Sequence, residues 1–523
     1  MAQSAVAITS VIISPKTGTS AALLVLALIL LALGAVLSRA EAGAGLSAAD
    51  WAAIRFTVAQ AVCSSVLSVL LAIPVARALA RRRFIGRAAL VTLLGAPFIL
   101  PVIVAVLGLL TVFGRSGWLN AGLEEFGLPA VSIYGFHGVV LAHVFFNMPL
   151  ATRLLLQGWQ TLPAERFRLC AQLRLTPRAM FHSVELPMLR QVVPGALVLV
   201  FVICLTSFAV ALTLGGGPRA TTIELAIYQA FRFDFDLGRA ALLSVVQLVL
   251  AGGMALLALR FVPVITIGGG LDRVMPRWDA QGGAQQFTDA VVIVLAALFL
   301  LVPLGAVVLR GLAGLPEMPV SVYHAAGTSV AVAVASIVVL LVLALPMAGW
   351  IAGRKAGGME AIGLLGLSAS PLMIGTGWFI VINPYVDPFD FALVVTVLVN
   401  AMMALPFALR ILVPPLRDAV QHYGRLSAML GLTGWRLWRV LLLPRLRRQI
   451  GFAAGLTGAL SMGDLGVIAL FADPERVTLP LQMVRLMGAY RMDAAAGAAL
   501  LLLALSLGIF WICDKGGRGR AES

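Results

Sequence analysis

Two apolar stretches of twenty residues resemble each other: TVAQAVCSSVLSVLLAIPVA at 57–76 and SVAVAVASIVVLLVLALPMA at 329–348. Neither contains a charged residue, and about twenty apolar residues in a helix are enough to cross the hydrocarbon of a bilayer. A proline lies at the matching position of each stretch, and the offset between them is 272 residues. The pair therefore predicts membrane-spanning helices in a chain built from two related halves.

The composition extends this prediction to the whole chain. Of 523 residues, 61% are hydrophobic and 12% are charged, whereas soluble domains are about 45–50% apolar and about 25% charged. The net charge of +15 is not accompanied by the interleaved basic and aromatic residues of a nucleic-acid-binding surface. We therefore expect an all-α integral membrane protein that binds no nucleic acid. No disulfide or metal site is expected from the four widely spaced cysteines, Cys63, Cys170, Cys204 and Cys513.

The apolar runs predict twelve transmembrane helices. They lie at about 21–37, 56–79, 88–113, 134–156, 192–214, 240–260, 288–309, 326–352, 360–382, 391–413, 449–471 and 494–513. The first run is read as a retained helix because no convincing cleavage site follows it. With the N-terminus inside, 28 of the 38 basic residues fall on the cytoplasmic side, as the positive-inside rule requires. Both termini are then cytoplasmic.

A second sequence match shows which residues of the two halves correspond. NMPLATRLL at 147–155 corresponds to ALPFALRIL at 404–412, with an offset of 257 residues. The polar segment 269–287 suits a cytoplasmic linker between the two. We predict a first repeat at 1–268 and a second at 288–523, each with six helices in the same orientation. The two repeats are then parallel and related by a pseudo-two-fold axis along the membrane normal.

Two long basic loops, at about 157–191 and 414–448, have a common pattern. Each predicts a helix with an apolar stripe, a tight turn, a second short helix and re-entry into the membrane. The signals in the first loop are Pro163 and Pro177 at helix starts, Thr176 as a cap, and Pro187 as a stop. Those in the second are the left-handed turn at Gly431, a cap at Thr433, and Pro444 as a stop. Such loops can present apolar side chains to a partner at the membrane face.

These loops carry a resemblance to a known family. Gly431 precedes Leu443–Pro444 by about thirteen residues, and Arg174 precedes Leu186–Pro187 in the same way. This spacing resembles the "EAA" loop of binding-protein-dependent ABC importer permeases, although Arg174 replaces the usual glycine. The resemblance implies the type I ABC importer permease fold and an ATPase-coupling role for the two loops. The implied coupling residues are Arg168, Leu169, Cys170, Leu173, Arg174, Leu186 and Pro187, with Arg425, Leu426, Ser427, Leu430, Gly431, Leu443 and Pro444.

Within that family, two stretches are similar to the fused thiamine permeases and less so to those for ferric iron. They are SFAVALTLGGGPRATTIELAIYQAFRFDFD from Ser207 and the segment from Gly463 onward. This implies a subunit of the bacterial inner membrane that carries thiamine or its phosphates and works with a cytoplasmic ABC ATPase, in two copies, and a periplasmic thiamine-binding protein. It implies neither enzymatic activity nor a cofactor in this chain.

Other functions remain open at this point. The sequence contains no GxxxxGK[ST] phosphate-binding loop, so the chain needs an external motor or an ion gradient. A ferric-iron permease is one alternative. A gradient-driven secondary transporter with twelve helices is another, since the Arg81–Arg82–Arg83 run resembles a basic loop of that class; otherwise this run anchors the topology at the lipid headgroups. A structural scaffold is a third.

Two groups of residues are candidates for contact with substrate and receptor. Asp464 lies within a predicted span and corresponds to Ser207 in the other half, next to Phe208. An intramembrane carboxylate is costly and marks a function, so these three residues are assigned to the translocation path of a cationic substrate. Acidic residues after spans five and eleven are assigned to receptor docking as exposed charges. They are Glu224, Asp234, Asp236, Asp473 and Glu475.

Overall fold

A computed structural model describes residues 15–40, 45–95, 99–217, 220–261, 282–353, 370–471 and 476–518 of the chain. All regular secondary structure in these ranges is helical. Eleven helical segments are long and apolar enough to cross a membrane. The prediction of an all-helical, multi-pass membrane protein is therefore confirmed.

The helices before the predicted linker are numbered in chain order. They are α1 (Pro15–Arg39), α2 (Ala48–Arg81), α3 (Arg87–Leu93), α4 (Val102–Phe113), α5 (Trp118–Glu125), α6 (Phe136–Thr161), α7 (Ala164–Gln172), α8 (Pro177–Met180), α9 (Leu186–Leu205), α10 (Ala209–Leu214), α11 (Ile223–Arg232) and α12 (Leu237–Phe261). A π-helical turn, Phe181–Glu185, joins α8 to α9.

The later helices follow a similar order. They are α13 (Gly283–Gly314), α14 (Val320–Gly353), α15 (Pro371–Ile382), α16 (Ala392–Met429), α17 (Gly434–Leu437), α18 (Leu443–Met462), α19 (Gly466–Leu470), α20 (Leu479–Gly488) and α21 (Met492–Arg518). A second π-helical turn, Trp438–Leu442, joins α17 to α18. The two π turns are 257 residues apart, which is the offset of the sequence match.

Most predicted spans coincide with helices, but some differ. The ninth, 360–382, is represented by the twelve residues of α15, because 360–369 lie outside the described residues. The third is divided into α3 and α4. Residues 269–281 of the predicted linker also lie outside the described ranges.

Spans five and eleven were predicted as continuous helices, and this is wrong. The first is interrupted at 206–208, between α9 and α10, and the second at 463–465, between α18 and α19. The last carbonyls of α9 are satisfied from neighbouring helices. The Gln60 amide donates to the Cys204 carbonyl at 2.9 Å, and the Gln247 amide donates to the Leu205 carbonyl at 2.9 Å. A helix can stop inside a membrane only where its freed backbone groups find such partners.

The first helix of each part packs on the other part. α1 contacts α14 and α15, whereas α13 contacts α2 and α4. Glycines permit the close approach, since a Cβ on Gly377 of α15 would collide with the carbonyl of Ala32 in α1. A Cβ on Gly108 of α4 would likewise collide with the Pro303 carbonyl in α13. Small residues at such crossings let helix backbones approach closely in a membrane, so the two parts are interlocked.

Candidate transport sites

The first long loop folds largely as predicted. Pro163 precedes α7, the Thr176 hydroxyl accepts a hydrogen bond from the Ala179 backbone N–H at 3.3 Å, and Pro177 is the first residue of α8. Proline suits that position because its missing N–H would have no intrahelical acceptor there. In the second loop Thr433 precedes α17, but its side chain makes no capping hydrogen bond. The predicted cap at Thr433 is therefore wrong.

The tight turns of the two loops are the same. Arg174 has φ 48° and Gly431 has φ 64°. The Leu175 N–H donates to the Cys170 carbonyl at 3.1 Å, and the Leu432 N–H donates to the Ser427 carbonyl at 2.9 Å. This bond, to the carbonyl five residues back, closes the helix around a left-handed residue, which is usually glycine. Arg174 thus takes the place of a glycine at a steric cost of about 1–2 kcal/mol.

The turns present leucines outward. Leu173 is 62% exposed and its counterpart Leu430 is 64% exposed. Leu169 and Leu426, one turn earlier, are also more than half exposed. The opposite face is buried: Phe167, Cys170 and Ser427 pack inward. Each loop therefore ends in a small apolar knob that its own chain does not cover.

The prolines after each turn do not stop a helix, contrary to prediction. Pro187 and Pro444 lie in the first turns of α9 and α18, directly after the π turns. The Leu186 N–H donates to the carbonyl of Phe181, five residues back. Proline cannot donate and crowds the carbonyl four residues back in an α-helix, so the wider π turn accommodates it. Each loop is thereby continuous with the span that follows it.

A buried ion pair, which the sequence did not reveal, anchors the first loop. Glu185 is fully buried; its Oε2 lies 2.6 Å from a guanidinium nitrogen of Arg77, and its Oε1 accepts from the Trp159 indole N–H at 3.0 Å. The counterpart of Glu185 in the second loop is Leu442. Leu442 is buried in an apolar cluster with Leu416, among others. The two loops are thus attached by different chemistry.

The basic run before α3 has a structural role. The Arg82 Nε lies 2.8 Å from Asp289 Oδ2, and the Arg81 side chain is 1% exposed. These arginines therefore join α2 to α13. The expectation that they extend to the lipid headgroups is wrong for Arg81 and Arg82.

The predicted path residues lie at the two helix breaks. Ser207 and Phe208 fall between α9 and α10, and Asp464 falls between α18 and α19. Asp464 Oδ1 accepts a hydrogen bond from the Gly466 N–H at 3.2 Å, whereas its Oδ2 is buried without a partner. The Phe208 ring contacts the Tyr228 ring edge-to-face, with centroids 5.2 Å apart.

The predicted receptor residues divide into three groups. Glu224 is fully buried, so its assignment as an exposed charge is wrong. The cause is that α11 starts inside the bundle, where the Ile223 N–H donates to the Thr57 hydroxyl at 2.9 Å. Asp234 and Asp236 are exposed, and Asp234 pairs with Arg239 at 3.1 Å. Their docking role stays a prediction. Asp473 and Glu475 lie outside the described residues.

Comparison with known proteins identifies the family. The chain is 41% identical to the thiamine transport system permease protein ThiP of Brucella abortus, over 98% of this chain and 97% of that protein. The protein of the same name from Escherichia coli is 40% identical over 89% of each chain. The one from Haemophilus influenzae is 34% identical over 86% of each chain. The chain belongs to the thiamine transport system permease family. No protein-family model matches it.

Proposed function

We propose that this permease is the membrane subunit of an ABC importer that carries thiamine across the bacterial inner membrane. The support is the match to thiamine permeases along nearly the whole chain, together with two exposed loops suited to an external motor. The relatives reported above give no support to an iron permease or to a gradient-driven transporter. The chain itself performs no hydrolysis in this proposal.

The exposed leucines of the two loops support the assignment of an ATPase partner. A cytoplasmic ABC ATPase, in two copies, binds one loop through Leu169 and Leu173 and the other through Leu426 and Leu430. The π turns make each loop continuous with α9 or α18, and those helices end at the breaks beside the path. A movement of the ATPase copies is thus passed directly to the path.

The architecture follows from the same features. Twelve helices form two parallel repeats, with both termini and both coupling loops in the cytoplasm. The recurrence of the turns, the π turns and the helix breaks supports this arrangement. On the opposite face, a periplasmic thiamine-binding protein docks near Asp234 and Asp236.

Two experiments test the proposal. Co-purification from native membranes should recover a P-loop ATPase, and vesicles with ATPase and receptor should accumulate thiamine only with ATP. Uptake driven by an ion gradient without ATP, or uptake of iron and not thiamine, would contradict the assignment. For topology, single cysteines at Gly217 and Asp387, in a cysteine-free background, should react with an external reagent while one at Gly282 stays protected. Labelling at Gly282 in intact cells would reverse the orientation.

A further inference from the structure

Three short helices from distant parts of the chain meet beside the helix breaks. α11, α15 and α19 contact one another. Helix α15 begins inside the protein directly after its cap, Ser370, which is 1% exposed and accepts a hydrogen bond from the Met373 N–H at 3.4 Å. The N-terminus of a helix carries partial positive charge. Acidic groups are therefore stabilised next to the start of α15.

Glu224 approaches this end of α15 from the first part of the chain. The Ser370 hydroxyl donates to Glu224 Oε2 at 2.8 Å. The other carboxyl oxygen, Oε1, is buried and accepts no hydrogen bond. The Gln247 side chain is also within hydrogen-bonding range of this carboxyl; one N–H of its amide donates to the Leu205 carbonyl, and its own oxygen lacks a partner. Ser370 thus holds Glu224 Oε2, whereas Oε1 has no close hydrogen-bond donor.

Asp464 approaches the same end from the second part of the chain. It accepts from Gly466, the first residue of α19. Gly466 in turn lies against Pro371, the first residue of α15. Asp464 Oδ2 is buried without a partner, and among the described residues neither Asp464 nor Glu224 forms a salt bridge. Two carboxyl groups, each with an unused oxygen, therefore flank one helix end.

Aromatic rings complete the site. Tyr228 lies one helical turn after Glu224, and so on the same face of α11, in contact with the Phe208 ring. A carboxylate next to aromatic faces is the chemistry that binds an organic cation. Arg232 and Arg485 lie within electrostatic range of the Tyr228 hydroxyl group.

The described residues of the second half contain no equivalent pair of buried carboxyl groups. Thr222 and Thr478 are the N-cap residues of α11 and α20, so the counterpart of Glu224 is Pro480, at an offset of 256 residues. The counterpart of Asp464, at the offset of 257, is Ser207. Buried carboxyl groups with an unused oxygen are costly in a membrane and mark a function by default. Here both are gathered at a single end of a single helix, which points to one ligand bound off the pseudo-two-fold axis.

We propose that Glu224 and Asp464, with the ring of Tyr228, form the site in the translocation path that takes the positively charged thiazolium ring of thiamine. This inference rests on the proposed transport of thiamine between the two halves. Ser370 positions Glu224 and is not itself a ligand.

The test is Glu224→Gln in the complete complex of permease, ATPase and receptor in vesicles. Glutamine keeps the oxygen that accepts from Ser370 and can donate to the unused Gln247 oxygen, so it preserves the local structure. We expect receptor-stimulated ATP hydrolysis to persist while thiamine uptake falls about tenfold or more, the factor expected for loss of one charge-assisted contact. Glu125→Gln, the same change at an exposed carboxyl, is the matched control and should leave uptake unchanged.

A second pair of variants covers the case in which Glu224→Gln does not assemble. Tyr228→Phe keeps the ring and should transport normally, whereas Tyr228→Leu should slow uptake severalfold. An assembled Glu224→Gln complex with uptake within twofold of wild type would overturn the site, as would equal rates for the two Tyr228 variants. A wild-type complex that hydrolyses ATP but moves no thiamine would instead refute the transport function itself.

Discussion

Variants of the buried ion pair between Arg77 and Glu185 should differ in their free energy of unfolding in a fixed order. Glu185 is fully buried, whereas the Arg77 side chain is 26% exposed. Removal of one partner of a buried pair costs about 3–5 kcal/mol, because it leaves a charge without compensation. After Arg77→Leu, Glu185 keeps the indole hydrogen bond of Trp159 and lies 3.9 Å from the Arg81 guanidinium, so we expect a loss near the lower end of that range, about 3 kcal/mol.

The reverse change should cost less. After Glu185→Leu, Arg77 can turn toward water, and the remaining penalty is the lost indole hydrogen bond of Trp159 plus part of the ion pair. We expect about 2 kcal/mol from these terms. The double variant Arg77→Leu/Glu185→Leu resembles the apolar attachment of the second loop at Leu442. It should recover more than half of the summed loss of about 5 kcal/mol, which corresponds to a coupling energy of about 3 kcal/mol.

The assay is the free energy of unfolding of the purified permease in mixed micelles, measured for all four members of the cycle. The exposed pair Arg476–Asp390, at 3.3 Å with side chains 44% and 69% exposed, is the control and should show coupling below about 1 kcal/mol. If Arg77→Leu is no more harmful than Glu185→Leu, the burial of Glu185 does not set the order of stabilities. If the double variant is as unstable as the sum of the singles, Glu185 does not anchor the loop through Arg77.

Three further predictions concern the loops and the interlocked helices. Leu430→Asp should abolish binding of the ATPase without impairing membrane insertion, because a carboxylate against an apolar groove costs several kcal/mol. Leu430→Met should bind the ATPase normally. If the aspartate variant still binds the ATPase, Leu430 is not part of the coupling contact. Arg174→Gly should raise the free energy of unfolding by about 1 kcal/mol, and Gly431→Arg should lower it by a similar amount; an unchanged value for both would mean that the left-handed turn carries no strain. Gly377→Leu should destabilise the permease by about 1–3 kcal/mol through overpacking against α1. Its control, Gly327→Leu at an open position of α14, should leave the free energy of unfolding nearly unchanged in the same assay. Equal effects at the two sites would contradict the close crossing of α1 and α15.

The spans and the loop turns could be predicted because their signals are local. An apolar run of sufficient length has few alternatives to a transmembrane helix. The offset of 257 residues also placed Arg174 opposite Gly431, and the structure gives both a positive φ. Each signal lies within the segment that it specifies, which is a run of about twenty residues for a span and about one turn of helix for a left-handed turn.

The helix breaks and the buried acids could not be predicted in the same way, because their partners are distant. Gln60 satisfies a carbonyl 144 residues away, and Ser370 holds a carboxyl at a separation of 146 residues. Glu224, read alone, is a charge after an apolar run, and such a charge is ordinarily placed in the outer water. The useful signal was the presence of Gln60 and Gln247 inside otherwise apolar spans, since buried amides require partners.

On the proposed function, whether a residue recurs in both halves depends on whether it contacts the ATPase or the substrate. The exposed leucines recur in both loops, at 169 and 426 and at 173 and 430, and two copies of one ATPase require two similar contacts. The acidic positions do not recur: Glu224 corresponds to Pro480, and Asp464 to Ser207. A substrate with one cationic ring and no two-fold symmetry passes near the axis and needs a carboxyl group on only one side. Duplication of the acids would place further unpaired carboxyl groups in the membrane at a cost of about 2.5–3.5 kcal/mol each. The exposed leucines that recur between the halves therefore indicate the ATPase contacts, and the carboxyl groups near the helix breaks that do not recur indicate the path.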